Sequence, residues 1–182
     1  MSDLLVIGGA SLDRLHLAGG PVDSAGGAGL YTALAAHRSG ARVAMLAPRP
    51  EPCPAVLQPL ADRLSRWHGP AVSPANLPHF EIAYPDGRTI YLQADFGAIP
   101  HLTPEMLPAD LAQFSLVHVT PLGDPARQLA FIHACRQRGS QRIAAGTSFV
   151  FIENQAATIR EIIAAVDYFF MNEREAVALF GD

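Results

Sequence analysis

The chain contains no lysine; all 13 basic side chains are arginine. They are spread along the sequence rather than gathered into a block, and with 17 acidic residues the formal charge is −4. That balance excludes nucleic acid as the expected main ligand. Only two cysteines occur, Cys53 and Cys135, with no C-x-x-C spacing, as suits a reducing cytoplasm. The seven histidines are scattered and none forms an H-x-x-x-H pair, so a metal site built from His and Cys is not expected. No apolar run reaches the roughly 18 to 20 residues of a membrane span, and no basic-then-apolar leader opens the chain. The expectation is a soluble cytoplasmic protein with neither a membrane nor a nucleic-acid partner. A Walker A loop is missing because no G-K-[ST] occurs, and a serine-hydrolase elbow is missing because no G-x-S-x-G occurs.

What is present is an apolar, weakly charged chain, 49% hydrophobic and 16% charged, a balance that suits a sheet covered by helices. At 182 residues it is long enough for one domain with a real core. Leu4-Leu5-Val6-Ile7-Gly8-Gly9 reads as a strand buried on both faces and ended by glycines. A loop with Asp13 and Gly19-Gly20 should follow, then a helix from Gly26-Gly27 to about Ser39, stopped by Gly40. Arg42-Val43-Ala44-Met45-Leu46-Ala47 is a second strand, and residues 54–67 have the spacing of an amphipathic helix. Residues 79–93, alternating on either side of Pro85-Asp86-Gly87, predict a hairpin that projects from the main sheet. Strand–helix alternation then resumes. Residues 116–120 form a strand, Asp124 and Pro125 start a helix to Arg138, and residues 142–145 form the next strand. A helix over residues 154–166 and a last strand over 168–171 complete the pattern. It implies an α/β fold with a mostly parallel sheet between two helical layers.

Four places can carry chemistry. Gly8-Gly9-Ala10-Ser11 after the first strand invites a dinucleotide-binding reading. The G-x-G-x-x-G spacing is not met, however, and the second strand ends in Ala47-Pro48 instead of an acidic residue. Asp13 lies beyond the first strand, where a carboxylate can accept hydrogen bonds from neighbouring hydroxyls of a polyol; it is equally an exposed loop aspartate. Gly26-Gly27-Ala28-Gly29 lets backbone approach a ligand at a helix start, or is simply a flexible loop and cap. Asn172 and Glu175 have the spacing of a capping box, and could also face a phosphate and its Mg²⁺ through water.

Taken in order, these features resemble the PfkB (ribokinase-like) family of sugar and nucleoside kinases. Val6-Ile7-Gly8-Gly9-Ala10-Ser11-Leu12-Asp13 is similar to the family's opening strand and substrate aspartate. Gly26-Gly27-Ala28-Gly29-Leu30-Tyr31-Thr32-Ala33 resembles its glycine signature, and Asp167 to Ala176 its N-x-x-E segment. The resemblance implies a ribokinase-like three-layer α/β/α sandwich, with the 79–93 hairpin as a β lid over the substrate. The whole chain, residues 1–182, would be a single incomplete domain, the N-terminal portion of the family's fold. The reaction implied is ATP-dependent phosphorylation of a hydroxyl on a sugar, polyol or nucleoside. Asp13, Gly26, Gly27 and Tyr31 would bind that substrate, and Asn172 with Glu175 would organise Mg²⁺ and phosphate, Glu175 reaching the metal through water. Pairing of lid strands between two copies is a further implication.

Two departures stand out. Tyr31 replaces an Asn common in the family, and Ala28 a Lys common in ribokinases, so ribose specificity does not carry over. The family's G-A-G-D segment, with its catalytic-base aspartate, does not occur in these residues, and these 182 residues alone are expected to be inactive. Two other readings remain: a non-catalytic polyol-binding module and a Rossmann-type dinucleotide-binding domain.

Overall fold

The first apolar run becomes the centre of the protein. β1 (Asp3–Ile7) pairs in parallel with β4 (Arg42–Leu46) on one side and β10 (Leu116–Val119) on the other. Its side chains alternate between two cores, Leu5 and Ile7 in one and Leu4 and Val6 in the other. This explains why every position of the run is apolar. The computed structural model describes residues 3–181; Asp182, the end of the closing segment, lies outside them.

Around β1 the chain builds a six-stranded, wholly parallel sheet in the order β12-β11-β10-β1-β4-β6, completed by β6 (Arg66–His68), β11 (Ile143–Gly146) and β12 (Tyr168–Phe170). On one face α1 (Ala28–Arg38) covers β1 and β4 through Leu30 and Ala33. On the other lie α3 (Pro125–Gln137), α4 (Phe149–Ala165) and α5 (Glu173–Phe180). Asp124 caps α3 as its sequence implies, its carboxylate accepting from the Ala126 N–H at 3.0 Å, with Pro125 in the first turn. Among the described residues no helix is long and apolar enough to cross a membrane.

Three expectations need correction. The stretch around Asp13 is no loop: β2 (Ser11–Leu17) and β3 (Gly20–Gly26) form an antiparallel hairpin that turns at Ala18-Gly19. They join the expected hairpin, β8 (His79–Ala83) and β9 (Ile90–Asp95), in a second sheet of order β3-β2-β8-β9. The projecting element therefore has four strands instead of two. Within it Asp86 in the β8–β9 turn takes a positive φ of 51°, a conformation that Asp tolerates.

The helix expected over 54–67 shrinks to a 3-10 turn and α2 (Gln58–Ala61). Leu57 and Leu60 fill the α1-side core, but Val56 is exposed. The helix ends because Ser65 N–H donates to Val43 O at 2.8 Å and the chain turns into β6 beside β4. A small parallel pair, β5 (Arg49–Pro50) and β7 (Ala71–Val72), flanks it within two proline-rich segments. Finally, α4 starts five residues before the expected 154. It is broken at Gln155, whose φ of −142° and ψ of 39° are not helical, and the break hides the first turn from a periodicity reading.

One buried polar side chain fastens α3 to the sheet. Gln128 is 1% exposed, and its Nε2 donates to Val119 O and to Gly146 O, both at 2.9 Å, at the carboxyl ends of β10 and β11. Gln128→Leu keeps the bulk and strands both carbonyls. It is expected to lower stability by about 1–3 kcal/mol, read as a reduced midpoint of urea unfolding with the slope unchanged.

Candidate functional site

The carboxyl ends of the parallel strands, where open α/β sheets bind ligands, are built from small and hydroxylated residues. β1 ends in Gly8-Gly9 and β10 in Thr120, which is buried; a methyl group on Gly8 would lie 2.3 Å from Thr120 Oγ1. These two strands are where the chain diverges to opposite sides of β1, so a crevice opens beside them. Gly8-Gly9 leads into β2 and not into a helix, so the geometry that a dinucleotide pyrophosphate needs after the first strand is not formed here.

The base of the second sheet overhangs this crevice. Asp13 on β2 is 7% exposed, and its Oδ1 is buried with no hydrogen-bond partner; the Ser11 hydroxyl, two residues earlier on the same face, is also buried and unpartnered. Burial pushes the Asp13 carboxyl above its usual range, opposed by the nearby Ser11 hydroxyl, the Phe80 amide and His79. Buried acceptors without partners are costly, so such a pair points to a group that arrives from outside.

Gly26 makes room for that carboxylate: a Cβ there would sit 1.8 Å from Asp13 Oδ2 and 2.9 Å from Ser11 Oγ. Gly27, the N-cap of α1, has φ 97° and lies so close to β1 that a Cβ would come 2.5 Å from Gly9 O. No side chain caps α1, which leaves its positive end facing the crevice. Asp13, Gly26 and Gly27 therefore form one cluster. Tyr31 stands at its edge, 61% exposed on the first turn of α1, its hydroxyl 3.4 Å from Ala25 O.

Asn172 and Glu175 occupy a different corner. Asn172 Oδ1 accepts from the Glu175 N–H and Glu175 Oε2 from the Asn172 N–H, both at 2.9 Å, so the capping box is fully formed at the start of α5. β12 lies three strand spacings from β1, about 14 Å at the usual separation. Among the described residues no group of three or more His, Cys, Asp and Glu side chains could hold a metal. A divalent cation here would depend on a ligand's own oxygens and on water, as Mg²⁺ commonly does.

Residues outside the sequence reading complete the overhang. Phe80 and Tyr91 meet edge to face at 6.0 Å, and Phe80 and Phe96 at 5.5 Å. Tyr91 lies close enough to Asp13 that, after partial burial, the aspartate's charge is the largest influence raising its phenol. The alternation of Ser11, Asp13 and Leu15 in β2 was the available signal for Ser11. The aromatic group was not legible, because its contacts join β8, β9 and the segment after β9. Cys135 is no candidate nucleophile, since burial pushes its thiol up to about 12.

No family model matches the chain. A cytidine kinase of Thermococcus kodakarensis is 27% identical over 186 residues, covering all of this chain and 65% of that protein. Among solved structures, a carbohydrate kinase from Agrobacterium tumefaciens is 25% identical with a TM-score of 0.72, over all of this chain and 64% of the other. Ribokinase from Giardia lamblia, 19% identical, gives a TM-score of 0.75 over all of this chain and 61% of its own. The chain thus spans slightly under two thirds of the relatives it matches. It has the ribokinase fold, and its relatives are the ribokinase-like (PfkB) carbohydrate and nucleoside kinases.

Proposed function

We propose that residues 1–182 form the substrate-binding part of an ATP-dependent kinase that phosphorylates a hydroxyl group of a sugar, polyol or nucleoside. The observation that carries this reading is the buried Asp13 carboxyl, whose Oδ1 makes no hydrogen bond of good geometry, beside the buried Ser11 hydroxyl, with Gly26 clearing the space in front of them. Two adjacent substrate hydroxyls donating to Asp13 would supply the hydrogen bonds that the empty pocket leaves unmade. Gly27 lets the substrate lie against the backbone, and Tyr31 closes the edge by stacking or through its hydroxyl. The β2-β3-β8-β9 sheet acts as the lid, and the Phe80, Tyr91 and Phe96 rings keep water from the hydroxyl that reacts.

ATP and Mg²⁺ enter on the strength of the kinase relatives. The metal would neutralise charge on the transferring phosphoryl group, and Asn172 with Glu175 would orient it through water at the first turn of α5. The base that takes the hydroxyl proton has no counterpart among these residues, since the G-A-G-D segment is not present in them. These residues therefore bind and orient the substrate without turning it over. Residues 1–182 would constitute one incomplete domain, working in the cytoplasm, and the strands of its lid could pair between two copies.

Three outcomes test the reading. In calorimetric titrations with ribose, inositol and cytidine, at least one ligand should bind the 182-residue chain. Asp13→Ala should weaken that binding about ten- to hundredfold, the worth of one or two hydrogen bonds to a charged group; unchanged binding in the variant sinks the proposal.

Asp13→Asn should do the opposite to the ligand-free protein, raising its stability by about 1 kcal/mol at neutral pH. The sign follows from linkage: native Asp13 holds its proton to higher pH than the unfolded chain does, so this residue makes stability fall as pH rises from about 4. Urea unfolding of both proteins across that range measures the effect as their difference. A variant no more stable at neutral pH than at acid pH, relative to the parent, contradicts it.

Incubation of the 182-residue chain with ATP, Mg²⁺ and the same ligands should yield no phosphorylated product by ³¹P NMR. Product above background refutes the assignment of the base to residues outside this chain.

A further inference from the structure

The β2-β3-β8-β9 sheet has two sides, and strand alternation gives them opposite character. Along β2, Ser11, Asp13 and Leu15 point to one side and Leu12, Arg14 and His16 to the other. The register carries the Asp13 side across the sheet. Asp13 lies opposite Ser24, Leu15 opposite Val22 and Ile82, and Ile82 opposite Tyr91. Phe80, two residues before Ile82, joins them, and its ring meets both Tyr91 and Phe96 edge to face. Charge goes to the outer side. Arg14, the only arginine in the four strands, is paired there with Asp23 at 3.1 Å, and His16 with Glu81 at 3.1 Å.

The inner side is therefore polar only at its base. Ser11 and Asp13 face Gly26 there, with Ser24 across the hairpin. Beyond them come Leu15, Val22, Ile82 and the three rings. Phe96 also lies against the main sheet, since a Cβ on Gly123, just after β10, would come 2.9 Å from its ring. The rings thus run from the lid down to the crevice that Asp13 overhangs. Tyr91 is 58% exposed, and its phenol, raised first by partial burial, is raised next by the charge of Asp13. An open aromatic surface stands beside the carboxylate.

Such a site asks for a ligand with two unlike ends. A free sugar or cyclic polyol carries a hydroxyl on nearly every carbon, and those beyond Asp13 would be desolvated against rings without a partner. A sugar phosphate would meet no arginine on this side of the strands. A nucleoside satisfies both ends: its ribose diol gathers the donors at Asp13, and its flat base covers aromatic surface. We infer that the ligand of this site is an unphosphorylated nucleoside, its ribose diol on Asp13 and its base against Tyr91 and the rings that brace it. The inference rests on Asp13 holding substrate hydroxyls, as proposed above, and makes Tyr91 the residue that sets the substrate class.

Calorimetric titration of the 182-residue chain with cytidine, adenosine, methyl β-D-ribofuranoside and myo-inositol tests it. The riboside keeps the furanose and its diol but has a methyl group where the base would be. At least one nucleoside should bind about ten- to hundredfold more tightly than the riboside, the range that stacking on an aromatic side chain supplies. Tyr91→Ala should remove most of that margin and Tyr91→Phe should keep it, whereas Asp13→Ala should weaken nucleoside and riboside alike. Tyr91 is exposed on a lid strand, so neither change at 91 touches the core. Asp13-dependent binding of riboside or inositol as tight as that of both nucleosides overturns the inference and leaves the kinase reading standing. A nucleoside preference that Tyr91→Ala does not reduce overturns it in the same way. Binding of none of the four, or binding that Asp13→Ala does not weaken, overturns the proposed function and this inference with it.

Discussion

A parallel sheet cannot leave its central strand half wet, because such a strand carries apolar side chains on both faces and its only partners are other strands. β1 is where this constraint is tightest. Leu5 and Ile7 are fully buried toward α3 and α4, and Val6 is fully buried toward α1. Removing any one of these side chains would open a cavity at a cost of about 2–5 kcal/mol if it were a Leu or Ile. With β1 fixed on both faces, its carboxyl end is fixed too, and everything that reads as a site hangs from that end. Gly8 lies against Thr120, Gly9 receives the Leu30 N–H at 3.3 Å, and Ala10 delivers the chain into the lid strand that bears Ser11 and Asp13.

The site draws on the stability which that core supplies. A buried carboxylate with an unpartnered oxygen opposes folding, and a glycine with φ 97° at the head of α1 has more conformational freedom to lose than any other residue would. Neither feature helps the chain fold. Both make sense if the missing hydrogen bonds come from a ligand, because each bond made on binding then replaces one that the empty pocket lacks. Discrimination follows as well: a ligand without hydroxyls would leave Asp13 as it is in the empty protein and gain nothing from it.

The sequence made the parallel sheet legible because its strands are short apolar runs that alternate with helical spacing. Asp124-Pro125 and Asn172-x-x-Glu175 marked helix starts through local chemistry that tertiary packing did not override. The lid was only half legible. β8 and β9 flank a turn with strong local signals, but Pro21-Val22-Asp23-Ser24 in β3 has no apolar alternation, since that hairpin is exposed over most of its length. Residues 54–67 misled for the converse reason. Val56, Leu57, Leu60 and Leu64 fit a helical stripe, yet only residues 55–61 are helical, and pairing of Trp67 with Met45 draws the end of the segment, Arg66–His68, into the sheet. Asp13 and Gly26 could be singled out individually. Their contact could not, because it depends on the register Ser11↔Gly26 and Asp13↔Ser24 across a hairpin that the sequence conceals.

The Asn172 corner hangs from the edge of the sheet. Phe170 closes β12; two residues later Asn172 accepts the Glu175 N–H and starts α5. β12 has a single strand neighbour, β11, and its outward aromatic residues are uncovered, so the edge that positions Asn172 is held from one side only. A phosphate-organising role for this corner would therefore rest on an edge strand, whereas substrate binding at Asp13 would rest on β1, whose side chains are packed on both faces. Under the proposed function, ligand binding and the placing of phosphate would thus depend on separately braced parts of the sheet, β1 packed on both faces and β12 at an edge.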